Sequence, residues 1–493
     1  MQLTKTDFKE FLLCSKCLWF KKKKPDEYVP GEFSLFLQKL IKDGYEAERY
    51  VQTLFPDGVA LNGDKETLLE KTQQHLTKKQ TMFQATFALP DGRFAKVDIL
   101  AYNEGTKKWD LYEIKASSEI KTDIKHNHIK DAVFQTMLVE EAGVPIDKTY
   151  MVYINRDYRR DGEVNPHSLF IVEDITETVV EQKPQVAQEI KVALEMLTRD
   201  EVSLKGCDCL YKSHGQRCDM FSEFNPQVPE YSVHHILTGK KLMQLLDDGV
   251  LEVTDIPEDF PLTDIQQNKV VLQKTGKPQI DTERIRKTLN DLQFPLYFLD
   301  YETYGSPIPL LDGYKPNQQV VFQVSIHTLH EDGILEHAEY LADTLEYATK
   351  ELMQTLKKTI GATGNIVVWY ESFEKGRNLE LAELHPEYKD FLLDMNSRVF
   401  DLMKVFKKDY LHPEFRGSAS IKNVLPVLLP ELSYKSLEIQ NGTMALSEWE
   451  KMIKGALDDE QKGSTRENLL KYCALDTLAM VEIYKKLKKE VTN

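Results

Sequence analysis

Apolar positions along the chain recur first at helical and then at strand spacing, and each change of period marks an element. Over residues 5–20, Phe8, Phe11, Leu12 and Leu18 fall on one face and Thr6 or Asp7 stands where a cap belongs, so the spacing predicts a helix. Helices are also expected over 33–55 and, with a polar sequence, over 67–79. Residues 82–88 read as a strand that leads into KVDILAYNEGTKKWDLYEIK at 96–115, where two strand-like runs flank a polar turn at 103–108 and predict a β-hairpin. Side chains alternate along a strand, so Glu113 and Lys115 share a face. Residues 129–143 form a helix with Asp131 and Gln135 one turn apart, strands follow at 148–155 and 168–172, and 178–199 is a long helix.

Between 225 and 293 the pattern weakens. Pro226, Pro229, Pro257, Pro261 and Pro278 punctuate it around short helices at 239–248 and 281–292, which predicts a folded connector. The apolar strand PLYFLD at 295–300 then runs into Tyr301 and Glu302. Strands are expected at 320–329 and 335–341, a helix at 345–359, and a buried strand at 365–370. ESFEKGRNLELAEL begins a helix with Glu371 and Glu374 in its first turns, where the helix dipole favours carboxylates. Asp401 begins a further apolar helix and reads as structural. Near the end, LLKYCALDTLAMVEIYKKLKK is amphipathic and projects Tyr472 and Asp476 together. The alternation predicts an α/β protein with domains at 1–224 and 294–493 joined by 225–293.

Composition supports that division, since 493 residues exceed one ordinary domain and 41% hydrophobic residues supply two cores. A formal net charge of −16 argues against a protein that coats nucleic acid nonspecifically, while leaving room for local basic grooves such as Lys21–Lys24. No run reaches the length of a membrane span and no signal-peptide pattern is present, so a cytoplasmic setting without membrane partners is expected, and with it reduced thiols. Five of the six cysteines form two knots, Cys14 with Cys17 and Cys207 with Cys209 and Cys218, which bracket the hairpin. That placement suggests one metal or cluster site clasping the ends of a domain; structural zinc satisfies four thiolates as well as an iron–sulfur cluster does.

The acids suggest chemistry. Asp98 and Glu113 would hold a hard divalent cation beside Lys115, which would orient the attacking water and offset charge on a phosphate. Taken alone, E-x-K on a strand is an ordinary ion pair. Asp300 and Glu302, two apart at a strand end, face one side and can share metal ions, with Asp476 as a further ligand and Tyr472 to orient water. Without such partners, Tyr472 and Asp476 read as a buried tyrosine bonded to an acid.

The order Glu46, Asp98, Glu113-Ile114-Lys115, Gln135 resembles the PD-(D/E)XK nuclease superfamily in its RecB-like branch. The enclosing cysteines resemble the iron–sulfur subgroup of that branch, which includes CRISPR-associated spacer-acquisition nucleases and helicase-nucleases. The resemblance implies a restriction-endonuclease-like first domain with a [4Fe-4S] cluster on Cys14, Cys207, Cys209 and Cys218, and catalytic roles for Lys115 and Gln135. Two features depart from the pattern: C-x-C precedes a long gap, and Glu46 stands nearest to the absent motif histidine. Asp300-x-Glu302, Glu374 and Tyr472-x-x-x-Asp476 resemble the DEDD exonucleases of the ribonuclease H-like fold, tyrosine variant, which implies a mixed-sheet domain whose four carboxylates bind Mg2+ or Mn2+. Here Glu374 replaces an aspartate and Tyr370 an asparagine. With YGSPIPLLDGYKPNQQVVFQ and FRGSASIKNVLP, the second half also resembles a bacterial family that pairs this fold with an N-terminal iron–sulfur nuclease. The expectation is a metal-dependent nuclease that cuts or trims DNA rather than RNA, prefers single-stranded ends and works 3′ to 5′ at its second centre, with Tyr301, Tyr304 and Tyr314 as base-stacking candidates. The alternatives are one centre that only binds nucleic acid, or a non-catalytic adaptor with a structural metal cluster.

Overall fold

The computed structural model describes residues 2–346 and 348–492. It is mixed α/β and divides into two compact units, Met1–Glu252 with Ser306–Asn317, and Val253–Gly305 with Gln318–Asn493. The stretch 225–293 is thus shared between the units, and the loop Ser306–Asn317 belongs with the first. Arg160 holds that loop: its Nη1 donates to the carbonyls of Pro309 (3.1 Å) and Leu310 (2.8 Å), and Gly313 N donates to Arg160 O (2.8 Å). No helix of the described residues is long and apolar enough to cross a membrane.

The first unit is built on β1 (Leu3–Thr4), β2 (Val59–Ala60), β3 (Met82–Ala88), β4 (Arg93–Asn103), β5 (Lys108–Lys115), β6 (Ile146–Ile154) and β7 (Phe170–Asp174). The sheet order is β2-β3-β4-β5-β6-β7, with β1 beside β4. The expected hairpin is β4–β5, and β6 runs parallel to β5 after the helix His128–Glu141; a parallel return needs such a crossover. One face packs Val97, Leu111 and Met151 against Phe8, Phe134 and Val186, while Ile99, Ile114 and Val152 on the other face meet Ala47 and Val51 of the helix Leu35–Gln52.

The single helix expected over 5–20 is two, Lys5–Leu13 and Ser15–Lys23, broken where Cys14 is extended (φ −159°, ψ 105°). Apolar periodicity reports burial rather than continuity, and both pieces bury their apolar face: Phe8 in one, Leu18, Trp19 and Phe20 in the other. The first starts at a capping box between Thr4 and Asp7. In the former connector the helices Gly239–Asp247 and Thr282–Asn290 lie where expected, and Asp264–Thr275 is an additional one; it buries only Val270 and Leu272, too few to mark a period.

The second unit contains β8 (Gln279–Ile280), β9 (Leu296–Tyr304), β10 (Val320–Leu329), β11 (Leu335–Leu341), β12 (Ile366–Val368), β13 (Val399–Asp401) and β14 (Tyr410–Leu411). The main sheet has the order β11-β10-β9-β12-β13, in which β10 alone runs against the other four; β8 pairs with β14. Alternation along β9 sends Tyr297, Leu299 and Tyr301 into a core with Leu352, Leu381 and Leu392. Phe298 points the other way, onto Tyr484 of the long helix Asp459–Thr492 (5.8 Å between centroids), so Asp300 and Glu302 are aimed at that helix too.

Trp449 fastens the helix Gly442–Ile453 to this sheet: fully buried, it stacks on Phe322 (4.3 Å, 12°) and its Nε1 donates to Ala342 O (2.8 Å). Trp449→Ala is expected to cost about 3–5 kcal/mol, and Trp449→Phe, which keeps a stacked ring but strands the carbonyl, about 1–2 kcal/mol. The shift of the urea-unfolding midpoint measures both.

Candidate functional site

Asp300 and Glu302 from β9 and Asp476 from the helix Asp459–Thr492 each bring one carboxylate oxygen within 4.8 Å of the others. Acids this close and this dry cannot all stay charged without a cation. Burial first, then Asp476 and Glu302, hold the Asp300 carboxyl well above its usual range; burial and Asp476 push Glu302 up to about 8, and burial pushes Asp476 up to about 6. The Tyr434 hydroxyl donates to Asp476 Oδ1 (2.5 Å), and the Tyr472 ring lies 6.0 Å from that of Tyr434. Burial and the neighbouring Asp476 keep both phenols far above their usual range, so both remain donors. Glu374 in the helix Glu371–Leu384 is buried, its Oε2 has no hydrogen-bond partner among the described residues, and burial pushes it up to about 8. Its charge reaches Asp300 and Glu302, although it stands outside the group of three. Lys422 opposes the negative field at Glu302 and Asp476 and lies 5.9 Å from the Tyr434 ring. Asp401 closes β13 and spends its Oδ1 on the N–H groups of Tyr370 (3.0 Å) and Met403 (3.1 Å), a structural duty.

In the first unit, β4 and β5 pair as far as Ile99 and Tyr112 and then part. The Ile114 N–H set free there donates to Asp98 Oδ2 (2.9 Å). Glu113 accepts from Lys115 Nζ (2.6 Å), Lys5 Nζ (3.1 Å) and Gln135 Nε2 (2.6 Å), while Lys115 also donates to Asp131 Oδ2 (2.7 Å). Lys5 Nζ is 3.7 Å from Asp98 Oδ1 as well, so its ammonium stands between the two acids. Burial, then Glu113, pushes Asp98 up to about 7. Burial would raise Glu113 and Asp131 too, but Lys115 and Lys5 outweigh it and hold both low. Burial works to lower Lys115, and the attraction of Asp131 and Glu113 overrides it, so this lysine stays charged. Asp98, Glu113, Lys115 and Gln135 are therefore brought together. Glu46 is not among them. Positions two apart on a helix differ by about 200°, and Glu48 is the one turned inward: its Oε1 accepts from Gln84 and from Gln52 (3.1 Å), and its charge reaches Asp98. A cavity of about 720 Å3 opens beside Glu48 and Gln84, with Lys42, Arg49 and Lys96 on its walls.

The break at Cys14 aims its side chain at the second cysteine knot. Cys14, Cys207, Cys209 and Cys218 are all buried, with sulfur atoms within 4.8 Å of one another. Cys17 is buried in the same apolar cluster but outside the group of four. Sulfur-to-sulfur contacts push Cys14 and Cys218 up and Cys207 and Cys209 down. Asn225 Nδ2 donates to Cys207 Sγ (3.4 Å), Trp19 Nε1 to Arg199 O (3.0 Å), and Lys16 Nζ to Ser203 O (3.1 Å) and Lys205 O (3.0 Å). The bonds of Trp19 and Lys16 clasp the second N-terminal helix to residues some two hundred positions on.

Lys5, Tyr434 and Lys422 carried no sequence signal: Lys5 opens a helix as any lysine does, Tyr434 lies in a one-turn 3-10 segment, and Lys422 is one polar residue of FRGSASIKNVLP. The stacking role expected of Tyr301, Tyr304 and Tyr314 is overturned, because all three are buried. Tyr301 donates to Asn378 Oδ1 (2.9 Å) and Tyr304 to Glu450 Oε1 (2.6 Å), which their strand positions face inward.

Residues 297–420 match a domain of unknown function, DUF2779, a stretch that holds Asp300, Glu302 and Glu374 but ends before Lys422, Tyr434 and Asp476. The chain is 29% identical over 215 residues to the uncharacterized "MG366 homolog" of Mycoplasma pneumoniae, covering 40% of this chain and 32% of that protein. It is 26% identical over 219 residues to the uncharacterized protein MG366 of Mycoplasma genitalium (41% and 33%) and 26% identical over 215 residues to the uncharacterized protein UU173 of Ureaplasma parvum (39% and 31%). The chain thus spans about a third of the length of these curated relatives.

Proposed function

We propose that this chain is a metal-dependent nuclease whose second unit removes nucleotides from the 3′ end of DNA, single-stranded ends being favoured, and whose first unit carries a centre of the PD-(D/E)XK type. The observation that carries the reading is the convergence of half-buried Asp300 with Glu302 and Asp476, within 4.8 Å, with no basic side chain bonded to any of them among the described residues. A strand order in which only the second strand is reversed is the one expected of a ribonuclease H-like domain and supports the reading. The meander β3-β4-β5 followed by a helix and parallel β6 supports a restriction-endonuclease-like core in the same way.

The donor set, oxygen only and charged, fits Mg2+ or Mn2+. When bound, such ions supply a hydroxide from water and stabilise the leaving oxygen. Asp300, Glu302 and Asp476 would hold them and Glu374 would complete the field. The Tyr434 hydroxyl fixes the Asp476 carboxylate, and the Tyr472 hydroxyl, which also bonds Asp476, would orient water beside it. Lys422 is placed to meet a phosphate. In the first unit Asp98 and Glu113 would take the cation, Gln135 holds Glu113 in position, and charged Lys115 would orient water rather than act as a base. A second reading for this unit, nucleic-acid binding without cleavage, is favoured by Lys5, which must be displaced before any metal ion enters. The thiol knot is read as a resident metal centre. Sulfurs within 4.8 Å suit one tetrahedral ion, which sets thiolates about 3.8 Å apart at Zn–S distances of about 2.3 Å; a [4Fe-4S] cube requires them to move outward.

With Mn2+ and labelled single-stranded DNA, Asp300→Ala is expected to lower 3′ nucleotide release at least about a hundredfold, and Lys115→Ala to leave that release intact while removing any internal cutting. Equal release by wild type and Asp300→Ala ends the assignment. Cys209→Ser should lose the metal found in wild type and melt several degrees lower. Colourless protein with stoichiometric zinc identifies a single ion, brown protein with broad visible absorption a cluster, and wild type with neither refutes the centre. The folded acids Glu302 (usual value 4.5, here about 8) and Asp476 (3.8, about 6) hold protons that the unfolded chain has released. The native state therefore binds more protons between about pH 4.5 and 8, and its stability falls as pH rises through that window. In EDTA the melting temperature should drop from pH 5 to pH 8, and Mn2+ should raise it more at pH 8 than at pH 5; equal shifts at both pH values contradict the site.

A further inference from the structure

Within the second unit a cavity of about 600 Å3 is walled by the helices Asp264–Thr275 and Met403–Lys408 and by residues 411–419. Its floor is aromatic. Phe406 and Phe415 are buried with centroids 6.0 Å apart, and His412 lies 5.4 Å from Phe415. Its rim is basic: Lys269, Lys407 and Lys408 line it, no aspartate or glutamate does, and none of the three lysines has a carboxylate partner among the described residues. Arg284, also on the wall, is already paired with Asp409 (3.1 Å). In a chain of net charge −16, a concave surface with three unpaired cations and no acid selects an anion.

A separate observation ties this cavity to the carboxylates. Tyr370 is 51% exposed, and its backbone is left-handed (φ 92°, ψ 73°), a costly conformation for a side-chain-bearing residue that Asp401 holds in place through the Tyr370 N–H (3.0 Å). Lys407 Nζ sits 5.7 Å from the Tyr370 ring centroid. The preceding Trp369 stacks on Phe406 of the cavity floor (5.4 Å, 23°) and donates from its indole to Ala419 O (3.0 Å) at the cavity wall. Tyr370 itself starts the helix that carries Glu374. The helix that carries buried Glu374 therefore starts at an exposed aromatic ring that lies beside Lys407 of a lysine-rimmed aromatic hollow. Flat rings alternating with cations match a ligand in which flat rings alternate with phosphates.

We propose that this hollow holds a nucleotide of the single strand whose end lies at Asp300, Glu302 and Asp476, with a base stacked on Tyr370 and the phosphate on Lys407 and Lys408; the assignment rests on the nuclease reading of those carboxylates. It is tested by fluorescence anisotropy of a labelled oligothymidylate in EDTA, where no cleavage interferes, on the full chain. The double variant Lys407→Glu/Lys408→Glu should bind at least tenfold more weakly and show a shallower salt dependence, and Tyr370→Ala several-fold more weakly, both with wild-type melting temperatures. Both lysines are exposed, so the double variant should fold. Undiminished binding by the double variant overturns the proposal. Thymidine monophosphate that displaces the oligomer at equal concentration also overturns it, because the hollow is then a site for a free nucleotide. Nucleotide release by wild type with Mn2+ is read separately. Release together with undiminished binding by the double variant removes the hollow and keeps the nuclease; weakened binding without any release removes the nuclease and keeps the hollow as a strand-binding site.

Discussion

Withdrawing like charges from water beside one another is the constraint on which both units depend, and each unit meets it differently. In the first, half-buried Asp98 and buried Glu113 and Asp131 are offset by the ammonium groups of Lys5, Lys9 and Lys115. In the second, Asp300, Glu302, Asp476 and Glu374 are drawn together with Lys422 acting on Glu302 and Asp476 and Arg377 on Glu374, and burial still pushes all four carboxyls up. The four thiols gather likewise, with Lys212 acting on Cys209. A buried charge left without a partner costs several kcal/mol, so acids and thiols gathered this closely carry an electrostatic cost that the fold must offset.

Backbone geometry is what aims these groups. The Ile114 N–H, released where β4 and β5 part, is satisfied by Asp98 and draws that carboxylate toward Glu113. On the other sheet Asp401 performs the matching service for Tyr370 and Met403, and so fixes the start of the helix that carries Glu374. The two aspartates differ in place, Asp98 at the middle of β4 and Asp401 at the end of β13. Asp98 keeps one oxygen facing Lys5, whereas the bonds of Asp401 go to backbone.

The strands were legible because alternation and β-rich composition leave a local trace: β3, β10 and β11 have the bounds that spacing predicts, and Asp300 with Glu302 followed from the two-residue period of β9. Pairing across the helix Asp459–Thr492 was legible too, since Tyr472 and Asp476 are one turn apart on a single element. What sequence could not show was rotation and reach. Glu46 and Glu48 lie on one helix in equally acidic surroundings, and only the packing of Ala47 and Val51 against the sheet decides which turns inward. Lys5 and Tyr434 reach their acids across 108 and 42 residues of chain, through contacts that no local pattern encodes.

In the first unit one short helix joins the two clusters. The helix Lys5–Leu13 bears Lys5 at its first position and is followed directly by Cys14, so nine residues, about 14 Å of helix, connect the carboxylates to the thiols. Its start is held by the Thr4–Asp7 capping box and its flank by Phe8 against Phe134 (5.3 Å). One short helix therefore both supplies an ammonium to the carboxylate cluster and adjoins a thiol of the sulfur cluster, so the packing that fixes its start and flank positions a member of each.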